Sequence, residues 1–176
     1  TPYHVWVSEI MLQQTRVAAV MGYYSRFMEA LPDVAALAAV EDDTLMKLWQ
    51  GLGYYSRARN LKKAAGQVME RYDGAIPASY EELLTLAGVG EYTAGAIASI
   101  AFGIPVPAVD GNVLRVVARI AGDEGDITLP ATKKRMGQAL QEIIPTAVPG
   151  AFNQAMMELG ATVCLPNGAP LCGQCP

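Results

Sequence analysis

Between two segments with helical periodicity lies the stretch Leu86-Ala87-Gly88-Val89-Gly90. Two glycines one residue apart permit backbone angles that are closed to other residues, and they leave the neighbouring backbone amides uncovered. A helix is expected to start directly after them, so its unpaired N–H groups and its positive dipole end would point the same way. Gly88, Val89 and Gly90 could therefore hold a phosphate, although an ordinary glycine-rich turn has the same short pattern.

Helical periodicity continues on both sides of this loop, and the small residues 93–96 after it would let two helices pack closely, as in a helix–hairpin–helix unit. We predict helices over residues 3–14, 16–30, 33–39, 44–50, 54–72, 80–86, 91–101, 111–121, 131–144 and 151–163. Asp33, Asp42 or Asp43, and the Ser79-x-x-Glu82 box are candidate N-terminal caps. No segment alternates like a strand, so the predicted class is all-α. The extended stretch 104–109 is the candidate crossing between two lobes, 1–105 and 106–176.

The charge is unevenly distributed along a chain that is 52% apolar and carries a net charge of −4. Residues 44–69 contain no carboxylate, and five basic residues fall there: Lys47, Arg57, Arg59, Lys62 and Lys63. This stretch could face phosphates or could be a solvated helix face. No apolar run has membrane-spanning length. Because the sequence starts at Thr1 rather than Met, we expect it to be part of a longer protein.

Two carboxylates lie in apolar surroundings. On a helix, Glu9 would have Val5, Trp6 and Leu12 as neighbours, so partial burial would raise its pKa toward the range of a general acid. The alternative is an exposed helical glutamate. Asp110 precedes a predicted helix and is fully explained as an N-terminal cap, but a cap at a lobe junction can also present its carboxylate to a cleft.

All three cysteines, Cys164, Cys172 and Cys175, lie in the last thirteen residues. An odd, clustered set with a C-x2-C step is a poor disulfide framework and a good fragment of a metal or cluster site. The spacing alone does not distinguish zinc from iron.

Five blocks of the sequence, in the same order and spacing, resemble the adenine DNA glycosylases of the MutY family, within the helix–hairpin–helix glycosylase superfamily. The blocks are residues 7–15 (VSEIMLQQT), 51–61 (GLGYYSRARNL), 86–90 (LAGVG), 109–113 (VDGNV) and 152–161 (FNQAMMELGA). The resemblance implies two helical lobes flanking a DNA-binding cleft: a six-helix barrel with the hairpin, and a lobe built around an iron–sulfur cluster. It further implies hydrolysis of the N-glycosidic bond of adenine mispaired with 8-oxoguanine or guanine in double-stranded DNA, by base flipping.

The same resemblance assigns roles to individual residues. Glu9 would be the acid and base, and Asp110 would stabilise the oxocarbenium-like sugar. The base-pocket residues would be Tyr92, Asn112 and Gln154, and the DNA-contacting residues would be Leu12, Gln14, Thr15, Tyr54, Arg57, Gly88, Val89 and Gly90. Gln14 and Tyr54 would wedge into the duplex, although Tyr54-Tyr55 could instead be a core aromatic pair.

One position separates close relatives of this family. Bifunctional members carry a Schiff-base lysine two residues after the second hairpin glycine, where this sequence has Tyr92. No lysine occurs between Lys63 and Lys133, so we expect a monofunctional hydrolase. A bifunctional glycosylase similar to endonuclease III, a related mismatch glycosylase and a non-catalytic DNA-binding module are the alternatives.

The resemblance also implies a [4Fe–4S] cofactor, for which Cys164, Cys172 and Cys175 match the first three ligands. The fourth cysteine would lie beyond residue 176, so the site is expected to be incomplete in this segment. The gap between Cys164 and Cys172 is one residue longer than usual, and Asn167-Gly168 could absorb it in a turn. Without the family's C-terminal domain, discrimination of the opposite base should be weaker. We expect an intracellular monomer with no membrane association.

Overall fold

The computed structural model describes all residues from 1 to 176, and it is entirely helical. The α-helices are α1 Pro2–Leu12, α2 Val17–Ala30, α3 Val34–Ala39, α4 Asp42–Trp49, α5 Ser56–Tyr72, α6 Tyr80–Leu83, α7 Glu91–Phe102, α8 Gly111–Ala121, α9 Pro130–Ile143 and α10 Pro149–Thr162. A short 3-10 helix follows over Cys172–Gln174. The predicted all-α class is confirmed. None of the helices combines the length and apolar character needed to cross a bilayer.

Side-chain caps explain where several of these helices begin. Asp33, Ser79 and Asp110 each accept the backbone N–H three residues further on, as predicted, which satisfies a donor without an intrahelical partner. The prediction of an aspartate cap for α4 is wrong. Glu41 occupies that position without a side-chain hydrogen bond, and Asp42 lies inside the first turn, where its charge complements the helix dipole.

Helices α1, α5 and α6 are clearly shorter in the structure than predicted, and α6 ends at Leu83 instead of residue 86. Helix α1 ends at Leu12 and α5 starts at Ser56, so Gln14 and Tyr54 lie in turns rather than in helices. Their φ angles are +56° and +46°, values that a right-handed helix cannot contain. These turns reflect tertiary contacts, which helical periodicity does not record.

The chain divides into two compact units, Thr1–Thr93 and Ala94–Pro176, with the division inside α7. The division expected from sequence lay at residues 105 and 106. The division into two functional lobes, residues 1–105 and 106–176, stays a prediction.

The first unit is organised around large apolar side chains. Helix α1 packs on α2 and α5, while α4 packs on α2 and α5. Trp6, Phe27, Trp49 and Leu61 are almost wholly buried in this unit. Phe27 and Trp49 meet edge to face with 5.9 Å between ring centroids, a favourable aromatic geometry. This core fixes the ends of α1 and α5, which carry several candidate site residues.

In the second unit, α8 packs against both α9 and α10. The close approach of α10 depends on Gly160, since a Cβ there would lie 2.7 Å from the Cβ of Asn112. Residues 104–109 contain no regular secondary structure, in agreement with the predicted extended stretch. Gly95 allows this stretch to pass closely, because a Cβ there would lie 2.5 Å from the carbonyl oxygen of Pro107.

Candidate active site and nucleic-acid interface

Glu9 lies on α1 with only 8% of its surface exposed, as its apolar sequence neighbours predict. The hydroxyl of Tyr92, in the first turn of α7, donates a hydrogen bond of 2.7 Å to the Glu9 Oε2. A carboxyl group held by a fixed donor inside an apolar shell has one defined orientation. This is the geometry that an acid–base catalyst needs.

The next residue of α7 makes a second connection to α1. Gln13 Nε2 donates to the Thr93 hydroxyl at 3.2 Å, and Thr93 is 2% exposed. Tyr92 and Thr93 together therefore fix the C-terminal half of α1, which contains Glu9. Tyr92 was predicted from the sequence, but the Gln13–Thr93 contact was not, because nothing in the local pattern pairs residues eighty positions apart.

Gly88 in the hairpin loop is required for two reasons. Its φ is +75°, and a Cβ there would lie 2.7 Å from the Cβ of Asn60. The loop is also attached to α5 by Gln67, whose Oε1 accepts the Ala87 N–H at 2.7 Å. The loop is therefore fixed in shape, as expected for a phosphate-binding turn.

The two residues after Gly88 differ in their surroundings. Val89 is 6% exposed, and its amide donates to the Leu86 carbonyl at 3.1 Å. Any contact of this loop with a phosphate must therefore use groups other than the Val89 side chain. Space around Gly90 is open, with no atom within 4 Å of where its Cβ would be.

Both proposed wedge residues are on the surface. Gln14 is exposed, and Tyr54 exposes 63% of its surface, with 39% for the adjacent Tyr55. The alternative of a core aromatic pair is therefore wrong. Leu12 and Thr15, near Gln14, are half-buried. An exposed tyrosine ring can stack on an unstacked base, and an exposed glutamine amide can form hydrogen bonds with it.

The basic stretch offers fewer free cations than its sequence suggests. Arg57 is 9% exposed, and its guanidinium donates to backbone and side-chain oxygens inside the first unit. Lys62 forms an ion pair with Asp42. The expectation that Arg57 contacts DNA directly is at odds with this burial. The exposed basic residues of the stretch are Lys47, Arg59 and Lys63.

Asp110 is both a helix cap and part of a polar network in the second unit. One carboxylate oxygen accepts the Val113 N–H at 2.7 Å, and the other accepts from Asn112 Nδ2 at 3.0 Å. Arg115 in turn donates to the Asn112 Oδ1 at 2.9 Å. Asn112 therefore supports Asp110, and Arg115 orients Asn112.

Asp110 also lines an open depression of about 400 Å³. The other lining residues are Val109, Gly111, Leu114, Ile127, Thr128 and Lys133. A capping aspartate buried in a helix junction would be closed off, whereas this carboxylate borders open space. These two situations look the same in the sequence.

Asn153 is a site-supporting residue that the sequence analysis missed. It is 2% exposed, its Nδ2 donates to the Ser99 hydroxyl at 2.8 Å and the Val106 carbonyl at 2.9 Å, and its Oδ1 accepts the Ala108 N–H at 3.1 Å. These bonds fix the stretch that leads into Asp110. The adjacent Gln154, which the sequence analysis did name, is exposed. The signal that could have identified Asn153 from the sequence was the presence of an asparagine inside an apolar helix.

The three cysteines line one cavity of about 160 Å³. Arg119 Nη1 donates to the Cys164 Sγ at 3.3 Å, and Arg115 donates to the Cys164 carbonyl at 3.0 Å. Gly168, at φ +77°, provides the predicted turn within the longer gap. The thiols do not converge on the position of a single metal ion. Thiols are the ligand type that iron–sulfur clusters use, and this cavity is lined by three of them.

Residues 7–146 match the family model of the HhH-GPD superfamily base excision DNA repair proteins. The chain belongs to this superfamily. The match includes Glu9, the hairpin loop, Asp110 and Asn112, and it ends before the cysteines.

Among curated proteins, this HhH-GPD chain is similar to adenine DNA glycosylases. It is 50% identical to that of Mus musculus and 49% identical to that of Homo sapiens, over 99% of this chain and 34% and 32% of those proteins. Identity to the adenine DNA glycosylase of Buchnera aphidicola subsp. Baizongia pistaciae is 39%, over 99% of this chain and 49% of that protein. The chain spans from about a third to about a half of the length of these relatives.

Among solved structures, the HhH-GPD chain resembles a thermostable thymine-DNA glycosylase at a TM-score of 0.89 and 28% identity, covering 99% of this chain and 80% of that one. It also resembles endonuclease III in a non-covalent complex with DNA, at a TM-score of 0.85 and 28% identity, covering 100% and 80%. The fold is therefore that of DNA-binding repair glycosylases.

Proposed function

We propose that this chain is the catalytic region of an adenine DNA glycosylase, which hydrolyses the N-glycosidic bond of adenine opposite 8-oxoguanine or guanine in duplex DNA. The adenine assignment is supported by 39–50% identity to proteins of that name over 99% of this chain. Duplex DNA is the partner, and the protein acts on it as a monomer inside the cell.

The hydrogen bond from Tyr92 to Glu9 carries the proposal. In its protonated form, Glu9 donates a proton to a ring nitrogen of the flipped adenine, so that the base leaves as a neutral molecule with the electron pair of the C–N bond. The resulting carboxylate then accepts a proton from the water that attacks the sugar. Tyr92 keeps the glutamate side chain oriented through both steps.

Asp110 complements this role at the sugar. As the C–N bond breaks, positive charge develops on the sugar ring, and a nearby carboxylate stabilises it. Asn112 and the N-terminus of α8 hold the Asp110 carboxylate in one orientation. Gln154 and Asn112 would contact the flipped base.

The reaction is that of a monofunctional hydrolase. A covalent lyase mechanism requires an amine that attacks the sugar carbon, and Tyr92 occupies the position of that lysine in bifunctional relatives. The second candidate function is a thymine-mismatch or bifunctional glycosylase, which is favoured by the structural similarity to a thymine-DNA glycosylase.

Contacts with the duplex come from the first unit. The exposed Gln14 and Tyr54, with Leu12 and Thr15 beside them, would fill the space vacated by the flipped base. Gly88 and Gly90 would offer backbone N–H groups to a phosphate, and Val89 would hold the loop on the core. Cys164, Cys172 and Cys175 would hold a [4Fe–4S] cluster, which fixes the surrounding chain.

Base release from defined duplexes tests the function. Full-length protein would be incubated with A:8-oxoguanine, T:G and fully paired duplexes, and the freed base identified. We expect adenine from the first duplex, no thymine from the second, and no adduct after borohydride reduction. Free thymine, or a borohydride-trapped adduct in good yield, would favour the second candidate.

Glu9→Gln tests the acid directly. We expect single-turnover adenine release to fall by roughly 100- to 10,000-fold while duplex affinity is kept, because the amide cannot donate an acidic proton. Glu29→Gln, at an exposed position of α2, is the matched control and should keep the wild-type rate. Wild-type activity in Glu9→Gln would refute the assignment.

A further inference from the structure

Arg57, in the first turn of α5, reaches the end of another helix. Its Nη1 donates to three carbonyl oxygens: those of Ile10 (3.0 Å), Met11 (3.0 Å) and Gln13 (2.6 Å). These groups lie at the C-terminal end of α1 and just beyond it, where carbonyls lack intrahelical partners. A cation there also complements the negative end of the helix dipole.

The second terminal nitrogen of this guanidinium serves a different set of groups. Nη2 donates to the carbonyls of Leu52 (3.0 Å) and Gly53 (3.3 Å) and to the Thr15 hydroxyl (3.3 Å). The guanidinium carbon also lies 5.5 Å from the ring centroids of Trp49 and Tyr54. One side chain therefore joins the turn after α1 to the turn before α5.

The two non-glycine residues in these turns with a left-handed backbone flank this guanidinium. Gln14, at φ +56°, lies between two residues that Arg57 contacts, and Tyr54, at φ +46°, directly follows a third. A residue with a Cβ adopts this conformation only where its surroundings impose it. Both side chains are exposed, and they are the pair that would enter the duplex under the proposed function.

The environment of Arg57 is unlike that of a phosphate ligand. The side chain is buried, and burial lowers the pKa of its guanidinium, partly offset by the nearby Tyr54 hydroxyl. Its Nη donors are already used inside the protein. Arg59, two residues further along the same helix, is exposed and carries the same charge. It provides a matched comparison.

We propose that Arg57 is a positioning residue: it sets the geometry with which Gln14 and Tyr54 enter the duplex, and it contacts no phosphate. This inference rests on the proposed function, because it takes these two residues to face DNA. Without the hydrogen bonds of Arg57, both turns can relax from the left-handed conformation. The protein should then unstack the DNA less well, while the charge attraction between protein and DNA should be unchanged.

Salt dependence separates positioning from phosphate binding. Full-length wild-type protein, Arg57→Met and Arg59→Met would be compared in binding to A:8-oxoguanine duplex over a range of salt concentrations. The logarithm of the binding constant falls linearly with the logarithm of the salt concentration, and loss of one phosphate contact makes this slope shallower by about 0.9. We expect that reduction in Arg59→Met and an unchanged slope in Arg57→Met. A reduced slope in Arg57→Met overturns the proposal.

A spectroscopic readout then tests the positioning itself. 2-Aminopurine placed next to the mispair becomes more fluorescent when the protein unstacks it. We expect Arg57→Met and Arg57→Lys to lose most of this increase, and adenine release to slow by roughly 100-fold in Arg57→Met. Lysine has a point charge without the planar fork, so Arg57→Lys should fold as the wild type does without restoring unstacking.

The outcomes distinguish this proposal from the proposed function. Full unstacking by both Arg57 variants overturns the positioning role. Should Arg57→Met fail to fold, which thermal melting followed by circular dichroism would reveal, Arg57→Lys carries the fluorescence measurement. Arg57→Gln, which keeps hydrogen-bond donors but removes the charge, then carries the salt measurement. If wild-type protein releases no adenine, the proposed function fails, while the salt slopes and the fluorescence still test Arg57.

Discussion

Single side chains in this protein often have two roles that only their surroundings can separate. Asp110 caps α8 and also borders an open depression. Arg57 belongs to a basic stretch by sequence and to the buried interior by structure. In both cases the residue type allows two functions. The polar contacts of Arg57 indicate an interior role, whereas those of Asp110 establish the cap and a measurement must test the second role.

Asp110→Asn separates capping from catalysis. Asparagine caps helices about as well as aspartate, so the free energy of unfolding should change by less than about 1 kcal/mol. Adenine release should nonetheless fall by roughly 100-fold or more, since the negative charge is lost. Urea unfolding and single-turnover rates measure the two effects.

Asp110→Ala is the companion variant for the capping role. It removes the cap as well as the charge and should cost about 1 kcal/mol of stability in addition. A wild-type rate in Asp110→Asn would leave Asp110 as a structural cap alone.

At the scale of elements, close approaches of backbone determine where the candidate groups lie. The hairpin loop depends on Gly88 fitting against Asn60, and the packing of α10 on α8 depends on Gly160 fitting against Asn112. The side-chain amide oxygens of Gln67 and Asn153 then accept the backbone N–H groups of Ala87 and Ala108, which fixes the loop and the stretch before α8. Each is a contact between elements distant in sequence.

Gly88→Ala should be destabilising for two reasons. A methyl group would meet the Asn60 side chain, and φ of +75° is unfavourable for any residue with a Cβ. We expect a loss of about 1–3 kcal/mol in the free energy of unfolding, measured by urea denaturation. Gly90→Ala is the control, because the space around it is open and its φ is not positive, so stability should hardly change. Equal stability of both variants would contradict this explanation.

For the molecule as a whole, the two compact units contribute different groups. Glu9, Tyr92, the hairpin loop and the exposed pair Gln14 and Tyr54 belong to Thr1–Thr93. Asp110, its supporting network and the three cysteines belong to Ala94–Pro176. The proposed function assigns roles to groups of both units.

The cysteine cavity gives a prediction about the whole protein. Full-length protein purified without oxygen should contain about four iron and four sulfide per chain. Cys172→Ala should lose most of this iron and lower the melting temperature, because under the proposed function the thiolates hold a cluster that fixes the chain after α10. Gln174→Ala, in the same 3-10 helix, should keep the iron and serves as the control. One zinc per protein and no iron would contradict the cluster.

Much of this fold follows from the sequence pattern. The helices, the caps at Asp33, Ser79 and Asp110 and the glycine loop are local features, and periodicity and capping chemistry predict them well. The ends of α1 and α5 were predicted less well, since contacts with Arg57 override the local helical preference. Asn153 and Gln67 were missed, because a polar residue within a helix does not show in the sequence which distant segment it will hold.

The order of residues by itself determined that this protein is helical, where its glycine hairpin lies, and which carboxylates and cysteines are available for chemistry. Tertiary structure alone decided that Tyr92 donates to Glu9, that Arg57 faces inward and that Tyr54 faces outward. The physical reason is the separation along the chain over which each interaction acts. Helix formation depends on neighbours within about four residues, whereas hydrogen bonds and burial join residues that may be eighty positions apart only after the chain has packed.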